Sequence, residues 1–308
     1  MNKWLLVNVT QKEKYDITPN GPNSFITERK IKMIYGIGHR DGNTLSIDKH
    51  ITKEEYDKHL KELSKINTLT AMKNVFSLFK RNGEEFINYS SKMKRLLGET
   101  SYKDEDDVLL EANRLLINYL SSLSMFIDYG ERYNKKHFGK QKMKEFESTT
   151  HDFYDNHVSY RFMALMRNYA LHYGFPLTEV IRSLENVSGI FASRDNLLQF
   201  KAWKHVKEDL EKMSPLIQID IHVEVSMMFI KHLYENYVYD ISSDIFSAIE
   251  YMAKIMHDNG GKQPIFAIFK DREEFKKGNI KLKLIEPETY QEALKILRDH
   301  PSININAV

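Results

Sequence analysis

The sequence predicts a mainly α protein: a helical bundle at its centre, a small β/helical region before it and a short αβ element after it. Three observations lead there. Through the middle of the 308-residue chain, apolar side chains return at three- and four-residue steps. Alternation of the β kind is confined to the first 50 residues and to the tail beyond residue 259. The length is enough to bury a substantial core, as one large domain or two ordinary ones. The segments so defined are 1–100, a hairpin plus long helix; 101–258, the bundle; and 259–308, a strand pair with a helix.

Among the first 50 residues, WLLVNVT, KIKMIYGIGH and TLSID read as short strands. The last two flank Arg40-Asp41-Gly42-Asn43, a turn sequence of the hairpin type. Gly36 and Gly38 lack the third glycine of a dinucleotide fingerprint and read as hairpin glycines. Thr52 stands three residues before Glu55, the spacing of a capping box, and opens a periodic segment toward Leu97. That segment reads as one helix, or as two divided near Asn82-Gly83.

In DEDDVLLEANRLLINYLSSLSMFIDYGERY, Val108, Ala112, Leu115, Leu116, Tyr119, Leu123 and Phe126 mark one buried helical face. The acidic run Asp104 to Asp107 suits the positive end of the helix dipole. It does not suit magnesium, because carboxylates adjacent in sequence diverge around a helix. Asn113, Arg114 and Asn118 on this helix either complete a site formed with a later helix or belong to an ordinary solvated face.

RYNKKHFGKQKMK, from Arg132 to Lys144, holds six basic residues and no acid. It reads either as a solvated loop with a helix start, or as a patch that tracks phosphates through Arg132, Lys135, Lys136, Lys140, Lys142 and Lys144. In the second reading Tyr133 and Phe138 are available to stack on bases. A helix is then expected from about Gln141 to Tyr173-Gly174-Phe175-Pro176, with Gly placed to cap it and Pro to stop it. PLTEVIRSLE, NLLQFKAWKHVKEDLEKM and two stretches, from about Ile219 to Tyr239 and from Ser242 to His257, continue in helical pattern. PIFAIFKD and NIKLKLIE alternate like paired strands, and PETYQEALKILRDHP closes the chain as a helix.

With 45 Lys+Arg against 43 Asp+Glu the formal charge is +2, so any polyanion must be met by a local patch rather than a basic coat. The absence of cysteine excludes disulfide scaffolds, Cys-based metal sites and thiol nucleophiles, and fits a cytoplasmic protein. No window approaches the roughly 20 apolar residues of a membrane span, and WLLV is far shorter than a signal-peptide core. His151 and His157 are six residues apart, unlike the i, i+4 pair of a helical zinc site, so no metal ligands are assigned.

The stretch RFMALMRNYALHYGFP, residues 161–176, carries the functional expectation. Phe162, Leu165, Met166, Tyr169 and Tyr173 form one side of the helix, while Met163, Ala164, Ala170 and Leu171 cover much of the other. A helix apolar nearly all round is central in a bundle or shared between two subunits. Either way Arg167 and His172 are expected to lie out of bulk water. They stand about 7.5 Å apart along the axis and about 140° apart around it, a separation that a phosphate fits once the long arginine closes much of it. The competing reading pairs Arg167 with a core carboxylate and makes His172 a hydrogen-bonded residue of the helix end.

Arg167-Asn168-Tyr169-Ala170-Leu171-His172 resembles the R-x4-6-H motif of the HEPN superfamily (higher eukaryotes and prokaryotes nucleotide-binding), including the polar residue that often follows the Arg. The setting resembles it too: a long amphipathic helix with a polar stripe, a connector, then a second long helix ending in the motif, over about residues 103 to 257. The resemblance implies a HEPN-like helical bundle and a metal-independent ribonuclease of the toxin, abortive-infection or antiphage-defence kind. It implies cleavage by the neighbouring ribose 2′-hydroxyl, with His172 as general base or acid, Arg167 holding the phosphate and Asn168 orienting one of these groups. It also implies a site shared by a homodimer and no cofactor. The N-terminal and C-terminal regions are left as surfaces for an antitoxin or regulatory protein. The alternative is a non-catalytic helical module that binds RNA, a nucleotide or a protein partner.

Overall fold

A computed structural model describes residues 4–6, 33–42, 44–98, 104–182, 188–284 and 286–305. The protein is mainly helical, with small antiparallel sheets. It divides into two compact units. The first comprises residues 1–67 and 243–295, the second residues 68–242 and 296–308.

The first unit holds a five-stranded sheet. Strand β1 (Trp4–Leu6) pairs with β3 (Thr44–Ile51), β3 with β2 (Ile34–Asp41), β2 with β7 (Pro264–Phe269) and β7 with β8 (Lys281–Leu284), all antiparallel. The hairpin and the C-terminal strand pair, kept apart as segments 1–100 and 259–308, are thus one sheet. The expected turn is present at Gly42, while Asn43 lies outside the described residues. Gly36 and Gly38 sit inside β2, not in the turn, with the register shifting between Ile37 and Gly38. One sheet face packs Ile47, Ile265, Ala267 and Phe269 on Phe275 of the short helix α8 (Arg272–Lys276). On the other, Phe266 meets Tyr56 and His59 of helix α1 (Lys53–Gly98). Tyr251 of α7 (Ile219–Asp258) donates or accepts a 2.6 Å hydrogen bond with His59.

The second unit is built from residues 68–98 of α1, then α2 (Glu105–Tyr133), a π-helical turn (Asn134–Phe138), α3 (Lys140–Asn156) and α4 (Val158–His172). A three-stranded sheet follows, β4 (Glu179–Ile181), β5 (Gly189–Ser193) and β6 (Leu216–Ile217) in that order, with α5 (Arg194–Leu198), a 3-10 turn (Lys201–Trp203) and α6 (Val206–Glu211) between the last two strands. Residues 219–242 of α7 belong here. The closing helix α9 (Pro287–Arg298) begins in the first unit and ends in the second.

Several expected boundaries move. The helix from Lys53 runs through Asn82-Gly83 without a break, because Gly83 is where Met227 of α7 packs closest; a Cβ there would overlap the methionine sulfur. The helix expected from Gln141 to Tyr173 is two, divided at His157, whose backbone is extended and whose ring stacks on Phe229 at 4.1 Å. The stretches from Ile219 and Ser242 are one helix. PLTEVIRSLE supplies strand β4 in place of a helix; its last three residues, 183–185, are outside the described set. The capping box forms as read: Glu55 N donates to Thr52 Oγ1 and Thr52 N to Glu55 Oε2. Asp104 caps α2 by accepting from Asp107 N.

Candidate functional site

Helix α4 is held by its apolar face. Tyr160, Phe162, Met163, Leu165, Met166 and Tyr169 are buried, and Tyr169 stacks on Trp203 at 5.8 Å while Phe162 meets both Trp203 and His222. Arg161, in the first turn, forms a two-pronged bond with Asp209 of α6, Nε to Oδ2 at 2.7 Å and Nη2 to Oδ1 at 2.9 Å. This guanidinium holds the Asp209 carboxyl below its ordinary range. Tyr173 N and Gly174 N both donate to Tyr169 O and end the helix.

The remaining arc is open. At about 100° per residue, Arg167, Leu171, Ala164, Asn168 and His172 follow one another over roughly 140° of the helix surface. His172 and Leu171 are exposed, and Ala164, Arg167 and Asn168 are half-buried. The helix is therefore amphipathic and not buried all round: Ala164 and Ala170, apolar in the pattern, are only half-buried, and His172 stands in solvent. Arg167 is the more enclosed of the pair. Its Nε is buried with no hydrogen-bond partner, and among the described residues no carboxylate pairs with its guanidinium. Neither the internal ion pair nor the bonded helix-end histidine of the competing reading is present among the described residues. On this arc and just past its end the chain exposes Leu171, Tyr173 and Phe175, each by roughly half of its surface.

The three supporting candidates on α2 do not gather. Asn113 is buried, and its amide is fully used: Nδ2 donates to Leu109 O (2.9 Å) and Leu177 O (2.8 Å), and Oδ1 accepts from Leu177 N (3.0 Å). It clamps the chain five residues beyond the motif and has no atom left for a substrate. Arg114, about 100° further round the helix, is exposed and forks onto Glu111 with two 2.6 Å bonds. Asn118 shares that second side, where its backbone oxygen accepts from Asn82 of α1. Asn113 sits in a stripe with Leu109, Leu116 and Leu120, a signal the sequence already contained: a lone amide at a core position needs dedicated partners.

The basic connector is not a loop. Helix α2 continues into the π-helical turn, Asn134 is buried, and Gly139, at φ 98°, closes the turn by donating to Asn134 O at 2.8 Å. The Arg132 guanidinium lies 4.2 Å over the Tyr129 ring and 5.4 Å from that of Tyr133. Lys142 pairs with Glu145 at 3.2 Å, whereas Lys135, Lys136, Lys140 and Lys144 are exposed. The 20 residues of α2 from Asn113 to Tyr133 span about 30 Å at 1.5 Å each. Within one chain, the start of the patch therefore stands about 30 Å from the Asn113–Leu177 clamp.

Sequence reasoning also missed Ser159 and His222, whose Oγ and Nδ1 lie 2.9 Å apart. Burial pushes the His222 pKa down, opposed by the nearby Asp220 charge. Among the described residues no group of three or more His, Cys, Asp and Glu side chains is placed to hold a metal ion, and no helix is long and apolar enough to cross a membrane. Comparison with protein-family models, curated proteins and solved structures gives no match.

Proposed function

We propose that the protein is a HEPN-type, metal-independent endoribonuclease whose working site lies on the open arc of α4 in a homodimer. The observation that carries the reading is the Arg167 guanidinium: half-buried, free of any described carboxylate, and on the same open arc as Asn168 and His172. A cation held without its own counter-ion favours an anion brought from outside, and a planar fork suits phosphate oxygens.

In this mechanism His172 removes the proton of a ribose 2′-hydroxyl. The 2′ oxygen bonds to phosphorus, the 5′ oxygen leaves, and the second copy's His172 returns a proton to it. The products are a 2′,3′-cyclic phosphate and a 5′-hydroxyl. Arg167 stabilises the charge on the phosphoryl oxygens, and Asn168 orients the phosphate or the imidazole. Exposed Leu171, Tyr173 and Phe175 supply the apolar rim expected of a surface covered by another copy. Lys135, Lys136, Lys140 and Lys144 would then hold RNA away from the scissile bond through its backbone. A toxin or antiphage effector is the setting, with an antitoxin or regulatory protein as the restraint. The alternative is a binding module in which the same face grips RNA without cutting it.

Purified wild type, Arg167→Ala and His172→Ala incubated with total RNA in EDTA separate the two. Cleavage by wild type, lost in both variants while thermal melts stay cooperative, supports the enzyme. Retention of RNA in a gel-shift by wild type, weakened in Arg167→Ala, with no cleavage by any of the three supports the binder.

A further inference from the structure

We infer that the first unit carries a binding groove for a nucleoside phosphate at one end of its five-stranded sheet, walled by Tyr35, His50, Lys53 and Lys270. The start of β2, the end of β3 and the end of β7 meet there, since Tyr35 pairs with Ile51 and Ile34 with Phe269. Chain leaving β3 turns directly into α1 through Thr52 and Lys53, and Lys270 follows β7. Between these segments is a cavity of about 770 Å³. Small-molecule sites fall in the same size range, roughly 300–1,000 Å³.

The lining has two chemistries. Lys53 and Lys270 are cationic, His50 offers ring nitrogens, and no acid is among the eight lining residues. Lys270 makes no ion pair with a described residue, and the nearest acid to Lys53 is Asp57, 3.9 Å away, with both groups mostly in solvent. The Lys270 charge is therefore left for a ligand, while Lys53 shares its charge with Asp57 across solvent. Thr52 contributes wall only, because its hydroxyl and N–H are both engaged with Glu55. Met33, Ile34, Ile51 and Tyr35 supply the apolar side.

One ring is braced for the purpose. Tyr35 leans on Tyr56 at 5.2 Å and Tyr56 meets Phe266 edge-on, all on the α1 face of the sheet, whereas His50 meets Phe269 on the opposite face. A fixed tyrosine ring beside two lysine ammonium groups complements a molecule with a flat, weakly polar body and a phosphate at one end. An aliphatic carboxylate would use the lysines and waste the ring; a bare nucleoside would do the reverse. The site uses no residue of α4 and does not rest on the nuclease reading.

The test is calorimetric titration of the full chain with AMP and ATP, and separately with adenosine, inorganic phosphate and a short single-stranded RNA. Both nucleotides are expected to bind, with adenosine and phosphate each weaker by roughly tenfold or more. Lys270→Gln and Lys53→Gln, both at exposed positions, should each weaken ATP by about tenfold, and Tyr35→Leu should weaken ATP while leaving phosphate unchanged. His172→Ala should bind as wild type does. Equal affinity for ATP in Lys53→Gln/Lys270→Gln and wild type overturns the assignment. So does phosphate alone binding as tightly as AMP, or RNA binding at this groove where neither nucleotide does.

Discussion

Replacing Asn113 with alanine removes a clamp and not a catalyst, and the size of the effect follows from the bonds it breaks. Three are lost: Nδ2 to Leu109 O, Nδ2 to Leu177 O, and Leu177 N to Oδ1. Leu109 O keeps its helical partner, so the harm falls on Leu177, which is 2% exposed. Its N–H and C=O are then buried with nothing to bond. At about 1–3 kcal/mol for each unsatisfied group, and with a water able to enter the space the amide leaves, the loss is roughly 2–4 kcal/mol. Asn113→Asp should be as damaging near neutral pH, since a carboxylate would face two carbonyl oxygens in place of a donor. Urea unfolding of wild type and Asn113→Ala measures the difference directly. Hydrogen exchange should show the Leu177 amide losing protection before the middle of α2. A change below about 0.5 kcal/mol, within the scatter of surface substitutions, would refute the clamp.

Arg167→Met should fold as stably as wild type or gain up to about 1 kcal/mol, because the buried Nε has no partner to lose; a melting temperature several degrees lower would mean the guanidinium is structural. Gly130→Ala should cost about 1–3 kcal/mol by forcing its Cβ into the Phe146 ring, and Phe146→Leu in the same chain should recover part of that in a double-mutant cycle. Burial depresses the pKa of both His59 and His222, so the unfolded chain binds the extra protons. Their contribution to stability is complete above about pH 6.5 and is lost as pH falls through the lower folded values. Urea midpoints between pH 7.5 and 5 should therefore decline, less steeply in His222→Asn. Asp209, held down by Arg161, behaves the same way lower on the scale: its contribution is present above about pH 4 and lost below it, a fall that Asp209→Asn removes.

The sequence was most informative where structure is local. The apolar steps from Val108 to Phe126 mark residues that are all buried on α2, and the Thr52–Glu55 capping box and the strands of the tail form as read. It was silent where partners are distant. Nothing in the alternation of residues 34–41 says that β2 pairs with β7, more than 220 positions away. Strands of three and two residues, β4 and β6, are too short to show a period. The division at His157 lacks the Gly or Pro that would announce it, and Gly83 announces a break that Met227 packing makes unnecessary. At the motif, spacing put Arg167, Asn168 and His172 on one helix, but their exposure depended on which neighbours cover it, and the Ala164 and Ala170 positions are only half-buried. Asn113 was singled out for its polarity, and its role came from its burial.

In the proposed mechanism an arginine and a histidine on an open helix face act together on RNA. The most direct measurement is the end chemistry of RNA cut by the purified protein in EDTA, with Arg167→Met and His172→Ala beside it at matched thermal stability. Fragments from wild type should carry 2′,3′-cyclic phosphates and 5′-hydroxyls, and the two variants should cut at least a hundredfold more slowly, the lower end of what a positioned acid, base or charge stabiliser supplies. Undiminished cleavage by either variant would contradict it, as would products bearing 5′-phosphates.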